Sequence, residues 1–371
     1  DLHSFPTRRS SDLLVKCQLV GILTFVRDCT NAGTCFQAWA LQQFINSLPN
    51  FKAELINYEV DVPKYSNIRY THGYGPLSWI LRRILDWKAY KFSSFQRKHF
   101  KKYPANRTVK RGELSIINDR YDQIILGSDQ IWNPKLTNLD KTFFLDFVKG
   151  KKKGAYAPSI GVQDLPQEQK EEIKRLLSDF SFIGVREQQA VKVVQELASI
   201  PVHWSLDPTF LLTKEQWAKV ARIPQENDYI FELCITKKPT VRVAAEKLSK
   251  MTGLPIIEYG GNRKRVPSAK LMPHPSSDTW LGYLMNAKYV LTDSFHGCAF
   301  SINTNTPFYV IITTNGNRIT SLLELCGLQD RIVNNGEDID TGKQIDWFSV
   351  NKRLEEARTE CQEWLYNSLK G

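Results

Sequence analysis

The chain has 371 residues, of which 42% are hydrophobic and 24% charged, and 50 Lys and Arg against 39 Asp and Glu give a net charge of +11. This composition excludes an intrinsically disordered chain. Its apolar runs, such as 229–235 and 308–312, are far shorter than the ~20 residues of a membrane-spanning helix. At roughly 100–200 residues per domain, the length predicts two domains, each with its own core.

The first thirteen residues are predicted to be a non-native extension. They contain neither Met nor the apolar segment of a secretory signal. Residues 3–13 resemble the translation of a sequencing-adapter oligonucleotide joined to a reading frame. The N-terminal domain is therefore expected to span residues 14–212.

Strand and helix patterns alternate along this domain. An apolar run at 19–25 precedes a polar turn with Asn31 and Gly33, and a helical pattern at 35–45 precedes a strand at 54–60. This order predicts a parallel sheet. Further strands are predicted at 123–126, 154–157, 182–185 and 202–204, with helices at 166–177 and 188–197.

The alternation starts again after residues 211–227, which contain a proline and several charges and are expected to form a hinge. The C-terminal domain, 213–371, closes with an amphipathic helix at 350–369. The expected fold class is α/β, with two Rossmann-like, doubly wound domains and a cleft between them. The predicted strands are 229–235, 256–259, 289–292 and 308–312, and the predicted helices are 241–251, 281–286, 297–303 and 319–326.

Ligands of doubly wound sheets bind beyond the carboxyl ends of the strands, so the residues after each strand are candidates for chemistry. The strand at 123–126 leads into Gly127, Ser128 and Asp129, which would place N–H groups, a hydroxyl and a carboxylate in the cleft. An ordinary Asx or Ser turn is the alternative.

Two further strand ends carry ionisable side chains. Arg186 follows the strand at 182–185 beside a helix start, where its guanidinium can bind a phosphate or carboxylate through two N–H groups. A surface pair with Glu187 is the alternative. Asp207 precedes Pro208, which favours an extended backbone that projects the carboxylate; a structural turn also explains this motif.

His296 is the strongest single candidate. It lies in the segment TDSFHG, residues 292–297, directly after a predicted strand. An imidazole there can bind an anion or transfer a proton near neutral pH, and Gly297 permits close backbone approach. A buried structural histidine is the alternative.

Other site classes are not indicated. The motifs GxxxxGK[ST], GxSxG, HExxH and GxGxxG are absent. The seven cysteines are scattered and form no CxxC pair, which predicts free buried thiols in a reducing cytoplasm. We therefore expect no metal and no redox cofactor.

Together these segments resemble the polysaccharide pyruvyl transferase family over residues 20–307. The resemblance rests on the opening strand with Asn31, Gly33 and the helix at 37–41, and on the order of the motifs that follow. These are GSDQIWN (127–133), AYAPSIG (155–161), GVRE (184–187), LDPTFLL (206–212) and TDSFHG (292–297).

The resemblance implies a fold like that of the twin-Rossmann glycosyltransferases. It implies transfer of an enolpyruvyl-derived group from phosphoenolpyruvate to a sugar of a bacterial cell-surface polysaccharide or its lipid-linked precursor. The products would be a pyruvate ketal and phosphate. A nucleotide-sugar-dependent glycosyltransferase on the same scaffold is the alternative. The net charge alone suggests a nucleic-acid-binding protein, but no nucleic-acid motif is present.

By motif position, the resemblance implies that His296 is a general acid/base or a phosphate ligand, and that Arg186 clamps the donor's phosphate or carboxylate. Asp129 and Asp207 would orient the acceptor hydroxyls or His296. The other implied substrate-binding residues are Ser128 and Ser294, as hydrogen-bond donors to the donor substrate, and Gly127, Asn31, Gly33 and Gly297.

Two positions depart from the family pattern. Ala32 stands between Asn31 and Gly33 where members often have an aromatic residue, and the residues before His296 are Ser-Phe where some members have an Arg. One anion contact is therefore expected from elsewhere. Arg263 and Arg265, after the strand at 256–259, are predicted to supply it.

The net charge is concentrated in one segment. Residues 81–111 hold eleven Lys and Arg and one acid, which is +10 of the total +11, with six interleaved aromatic residues. We expect this part of an insertion at 60–115 to contact anionic lipid headgroups or a pyrophosphate-linked glycan acceptor; a solvated helical face is the alternative. The expected location is cytoplasmic, with peripheral contact at the inner membrane face.

Overall fold

The computed structural model describes residues 16–26, 31–60, 93–162, 164–236, 239–260, 266–273, 275–312, 317–334 and 336–371. The predicted extension at 1–13, the first part of the basic segment, Arg263 and Arg265 lie outside these described residues. The predicted fold class is confirmed, because the described strands form two parallel sheets, one from each half of the chain.

The first sheet has seven strands with every neighbouring pair parallel. They are β1 (Gln18–Leu23), β2 (Phe51–Ile56), β3 (Lys102–Tyr103), β4 (Gln123–Leu126), β5 (Lys152–Tyr156), β6 (Phe182–Val185) and β7 (Val202–Trp204). Their order is β3-β2-β1-β4-β5-β6-β7. β4 and β6 are buried along their whole length, as expected for apolar strands covered on both faces.

Helices connect these strands. They are α1 (Ala32–Ser47), α2 (Leu114–Arg120), α3 (Pro134–Thr137), α4 (Gln167–Leu177) and α5 (Gln188–Gln195). The described residues 93–99 are also helical.

The second sheet has six strands, again with every neighbouring pair parallel. They are β8 (Ile230–Leu233), β9 (Ile256–Gly260), β10 (Lys270–Pro273), β11 (Tyr289–Thr292), β12 (Phe308–Ile311) and β13 (Ile332–Val333). The order β10-β9-β8-β11-β12-β13 reverses direction between β8 and β11, the switch point where doubly wound sheets bind ligands. The helices are α6 (Lys214–Ala218), α7 (Pro239–Thr252), α8 (Ser277–Asn286), α9 (Phe295–Asn303), α10 (Asn317–Cys326) and α11 (Trp347–Lys370).

An aromatic core joins the two halves. Phe36 of α1 contacts Trp217, Trp280 and Phe300 at ring-centroid distances of 5.1, 6.0 and 5.2 Å. This packing brings the start of α1 against α9. Trp217 is fully buried, so the predicted hinge segment 211–227 is in part a packed element; hinge motion itself stays a prediction.

The closing helix α11 returns from the C-terminal half to the first sheet. The buried face predicted for it is present and includes Leu354, Ala357, Cys361 and Leu365. Trp364 packs edge-on against Phe182 of β6 at 5.7 Å. The last residues of the chain therefore cover the sheet formed by the first residues.

The predicted insertion at 60–115 is partly an integral element of the sheet. β3 adds an edge strand beside β2, and Val109 forms an isolated bridge with Tyr58. Phe95 is buried in the core and Phe100 packs against it, so these two aromatic side chains do not form an exposed surface. The expectation of an aromatic docking surface is wrong for Phe95, because its ring is buried against Phe36 of α1, whereas Phe100 is half-buried.

None of the six described cysteines forms a disulfide bond. Five of them are buried, as predicted, but Cys17 is exposed.

Candidate active site

The candidate site lies where strand ends of both sheets meet. Arg186 and Glu187 follow β6, and Asp207 follows β7. His296 is in the first turn of α9, after β11. The shared core between the halves places these loops together, although the chain separates Asp207 from His296 by 89 positions.

Asp207 is the centre of this cluster. Its side chain is fully buried, and its Oδ2 accepts a hydrogen bond from Arg186 Nη1 at 2.7 Å. The same oxygen lies 3.6 Å from His296 Nε2, which is longer than a hydrogen bond. Its Oδ1 accepts from the backbone N and the hydroxyl of Thr209. The carboxylate thus joins the arginine of one sheet to the histidine of the other.

The pKa values of Asp207 and Arg186 are shifted in the directions that keep both side chains charged. Burial by itself would raise the pKa of Asp207, but His296 and Arg186 hold that pKa well below its ordinary value. Burial likewise disfavours the charged guanidinium, yet the carboxylates of Glu187, Asp207 and Asp129 raise the pKa of Arg186. The alternative of a surface Arg–Glu pair is wrong, because both Arg186 and Glu187 are buried.

We expect Asp207→Asn to lower the free energy of unfolding by about 3–5 kcal/mol. Asn keeps the acceptor for Thr209 but leaves the guanidinium of Arg186 buried without its 2.7 Å partner. Urea denaturation of the two proteins measures the difference.

Asp164→Asn is the matched control. Asp164 pairs with Lys170 at 2.8 Å and also accepts a backbone N–H, from Leu165, but its side chain is 82% exposed. The same substitution there is expected to leave the free energy of unfolding nearly unchanged, because solvent screens an exposed ion pair. Equal losses at the two positions would contradict the assignment of Asp207 to a buried, charge-paired site.

The imidazole of His296 packs directly against Gly33 of α1, in the N-terminal half of the chain. A Cβ built on Gly33 would lie 2.1 Å from His296 Cγ and Nδ1, so only glycine allows α1 to approach the ring this closely. Gly33 therefore positions the imidazole, a role different from the substrate contact predicted for it.

The loop before His296 is stabilised by its own residues. The hydroxyl oxygen of Ser294 caps α9 by accepting from Gly297 N, and a Cβ on Gly297 would lie 2.3 Å from Thr292 Oγ1. Asp293 accepts hydrogen bonds from the backbone N–H groups of Ile235 and Thr236 after β8. These contacts fix the position of the imidazole relative to both central strands of the second sheet.

The loop after β4 contacts the cluster through Ser128 and Asp129. Asp129 has a left-handed backbone, with φ of 79°, and its carboxylate accepts from the Thr34 hydroxyl at 2.6 Å and from Gln130 N. The hydroxyl of Ser128 donates to the carbonyl oxygen of Ala157 at 2.7 Å. Ser128 Oγ also lies 3.4 Å from Asp207 Oδ2 and accepts from Arg186 Nη1 at 3.5 Å, so this side chain belongs to the cluster.

Three buried polar atoms of the cluster have no hydrogen-bond partner among the described residues. They are Arg186 Nη2, Glu187 Oε2 and His296 Nε2. Such atoms cost free energy unless a ligand or water satisfies them. The cluster thus offers a cationic donor, an imidazole nitrogen and a carboxylate oxygen to a bound molecule.

The remaining predicted residues lie around this cluster or outside the description. Asn31 caps α1 by accepting from Gly33 N, and Gly127 packs against Thr24. Arg263 and Arg265 are not among the described residues. Two residues near the cluster were not predicted from the sequence: Thr34, whose hydroxyl donates to Asp129, and Arg318, which lies near Arg186. Arg318 follows β12 closely, so its position after a strand was the available signal.

No helix in the described part of the chain is long and apolar enough to span a membrane. Within the same residues, no group of three or more His, Cys, Asp and Glu side chains is placed to hold a metal ion.

Comparisons with known proteins agree with the fold and indicate a family. A sequence profile described as polysaccharide pyruvyl transferase matches residues 31–315. No curated protein matches the chain significantly. Among solved structures, the chain is similar to the UDP-GlcNAc 2-epimerase of Methanocaldococcus jannaschii, with 11% identity over 91% of each chain and a TM-score of 0.50. It is also similar to the Escherichia coli heptosyltransferase WaaC with ADP, with 15% identity over 91% of this chain and 99% of that chain and a TM-score of 0.44. At these identities the likeness concerns the fold alone.

Proposed function

The chain belongs to the polysaccharide pyruvyl transferase family, and from this premise we propose that it transfers an enolpyruvyl-derived group from phosphoenolpyruvate to a sugar. The acceptor belongs to a cell-surface polysaccharide or its lipid-linked precursor. The product is a pyruvate ketal that bridges two hydroxyls of the sugar, and phosphate leaves. This reaction requires no redox cofactor.

The proposed reaction balances with the two substrates alone. The methylene carbon of the donor takes one proton and becomes a methyl group, while a sugar hydroxyl oxygen bonds to the central carbon. The C–O bond to phosphate then breaks, and a second hydroxyl oxygen bonds to the same carbon. The two protons lost by the hydroxyls end on the methyl group and on the departing phosphate.

The cluster around Asp207 supports this chemistry. His296 Nε2 is the proposed acid/base group that moves the protons, and the Asp207 carboxylate at 3.6 Å would compensate the positive charge of an imidazolium. Arg186 keeps Nη1 on Asp207 and has Nη2 available for an oxygen of the donor. The donor is a small, highly charged anion, which suits a buried guanidinium.

One observation carries the proposal: the buried Nη2 of Arg186 and Nε2 of His296 lack partners within the described residues while both side chains face the same carboxylate oxygen. Most buried polar atoms of folded proteins are hydrogen-bonded, so two unsatisfied atoms beside one carboxylate favour a ligand site. An anion that receives a hydrogen bond from Arg186 would lie within reach of a proton on His296.

The decisive experiment incubates the protein with phosphoenolpyruvate and a panel of lipid-linked sugars. We expect phosphate release that depends on the acceptor, and a product mass that increases by one pyruvate less one water. A parallel panel of nucleotide sugars tests the glycosyltransferase alternative. Nucleotide release there, without phosphate release from phosphoenolpyruvate, would contradict the proposed function.

We also propose that the basic segment at 81–111 brings the enzyme to an anionic membrane surface, where a lipid-linked acceptor resides. In the described part of this segment, Arg97, Lys98 and Lys101 are exposed. Because Phe95 and Phe100 pack against the core, the proposed contact depends on charge rather than on inserted aromatic rings.

The double variant Lys98→Glu/Lys101→Glu is expected to bind vesicles containing phosphatidylglycerol at least about 30-fold more weakly than the unchanged protein, because each lost basic residue removes about 1 kcal/mol and each added carboxylate opposes binding further. Co-sedimentation measures the binding, which should also fall as salt rises. The exposed pair Lys214 and Lys219 on the C-terminal half gives the control for charge reversal elsewhere. Salt-independent binding, or equal loss in both double variants, would contradict this docking surface.

A further inference from the structure

A second arginine lies beside Arg186. Arg318 belongs to the first turn of α10, which follows β12 in the second sheet. The guanidinium carbons of Arg186 and Arg318 are 4.7 and 5.9 Å from the centroid of the Phe295 ring. The aromatic residue next to His296 is thus contacted by one arginine from each half of the chain.

Among the residues that the structure describes, no carboxylate of the site forms an ion pair with Arg318. Within the described residues, the ion pairs of the site join Arg186 to Asp207 and to Glu187, and Asp207 Oδ2 also lies 3.6 Å from His296 Nε2. Burial and the like charge of Arg186 lower the pKa of Arg318, whereas nearby carboxylates act in the opposite direction. Two guanidinium groups that contact the same aromatic ring and lower each other's tendency to be charged become more stable when an anion binds to both.

The neighbouring unsatisfied atoms indicate where such an anion binds. Arg186 Nη2 and His296 Nε2 are buried and have no partner in the described part of the chain, and both side chains contact Phe295. The site therefore already has a cationic donor with a free N–H group, and Arg318 adds a second cation on the same aromatic ring. An anion with two charged groups can accept hydrogen bonds from both guanidinium groups.

We propose that Arg318 is a second anion-binding residue of this site, which binds the phosphate or the carboxylate of the donor together with Arg186. This assignment rests on the proposed function. It gives Arg318 the role that the sequence analysis predicted for Arg263 or Arg265.

The test compares Arg318→Gln and Arg318→Lys with the unchanged protein by calorimetric titration of phosphoenolpyruvate, inorganic phosphate and pyruvate. Loss of hydrogen bonds to a charged group is expected to raise the Kd for phosphoenolpyruvate about 10- to 100-fold in Arg318→Gln, with partial recovery in Arg318→Lys. Tm is expected to stay unchanged. Arg242→Gln is the matched control, because Arg242 is exposed and pairs with Glu246 on α7.

The two small probes assign the contact. Weaker binding of inorganic phosphate alone indicates that Arg318 binds the phosphate, and weaker binding of pyruvate alone indicates the carboxylate. Unchanged Kd values for all three ligands in Arg318→Gln would overturn the assignment.

Failure of the proposed function is a separate result. If the unchanged protein does not turn over phosphoenolpyruvate with any acceptor, that function fails, and the titrations with phosphate and pyruvate decide the role of Arg318 alone. Weaker binding in Arg318→Gln than in Arg242→Gln supports an anion site. Equal binding, or no binding of either probe by the unchanged protein, overturns it.

Discussion

Replacement of His296 by Gln is expected to lower kcat for pyruvyl transfer by about 10²- to 10⁴-fold, the usual contribution of a positioned acid/base group. Gln fills similar space but cannot accept and return a proton. Asp207 keeps its ion pair with Arg186 and its hydrogen bonds with Thr209, so Tm should fall by no more than about 3 °C. Phosphate release and thermal denaturation of the same preparation measure the two quantities.

His203→Gln is the control for this substitution. The His203 ring stacks on Trp364 at 4.4 Å and its Nε2 lies 3.6 Å from Glu360, so it belongs to the packing of α11 on the first sheet. The kcat of His203→Gln should remain within about twofold of that of the unchanged protein. Retention of most activity by His296→Gln would contradict the proposed role of His296, whatever its effect on Tm.

Replacement of Gly33 by Ala is expected to lower kcat about 100-fold without touching any reacting group. The new Cβ would lie 2.1 Å from two atoms of the His296 ring, so the ring or α1 must move by about 1 Å or more. A displacement of this size in a catalytic group can cost about 10²-fold in rate. The same overpacking is expected to lower the free energy of unfolding by about 1–3 kcal/mol.

Two comparisons isolate this contact. Gly112→Ala adds the same methyl group where no atom lies within 4 Å, and should leave both activity and stability unchanged. In a protein that already carries His296→Ala, the two contacts at 2.1 Å are gone and only the Cβ of residue 296, at 2.7 Å, remains, so Gly33→Ala should destabilise the fold less than it does in the unchanged protein. A stability loss that is equal with and without the imidazole would show that Gly33 matters for α1 itself and not for the position of His296.

The secondary structure of this protein was largely predictable because its signals are local. The predicted strands at 123–126, 182–185, 202–204 and 289–292 have the bounds of β4, β6, β7 and β11. Short edge strands were missed: β3, β10 and β13 have two to four residues and weak apolar patterns. A short edge strand forms because a neighbouring strand offers unpaired backbone groups, and that partner is not visible in a local window.

The sequence indicated which residues belong to the site, because they follow strands, but not how these residues are placed relative to one another. Arg186, Asp207 and His296 were singled out because each follows a predicted strand, and the structure places all three together. The role of Gly33 beside the imidazole depends on how α1 packs against α9. That packing follows from a core shared by both halves, which no single motif contains.

The sequence by itself determined the α/β class and the family, because apolar periodicity, strand-end residues and the order of motifs are properties of the chain read in one direction. Only the tertiary structure decided which charged side chains lie next to one another. Asp207 lies between Arg186 and His296, and Arg318 lies beside Arg186 although 132 positions separate them. Electrostatic and steric interactions depend on distance in space, and in a doubly wound fold the ends of distant strands meet at one edge.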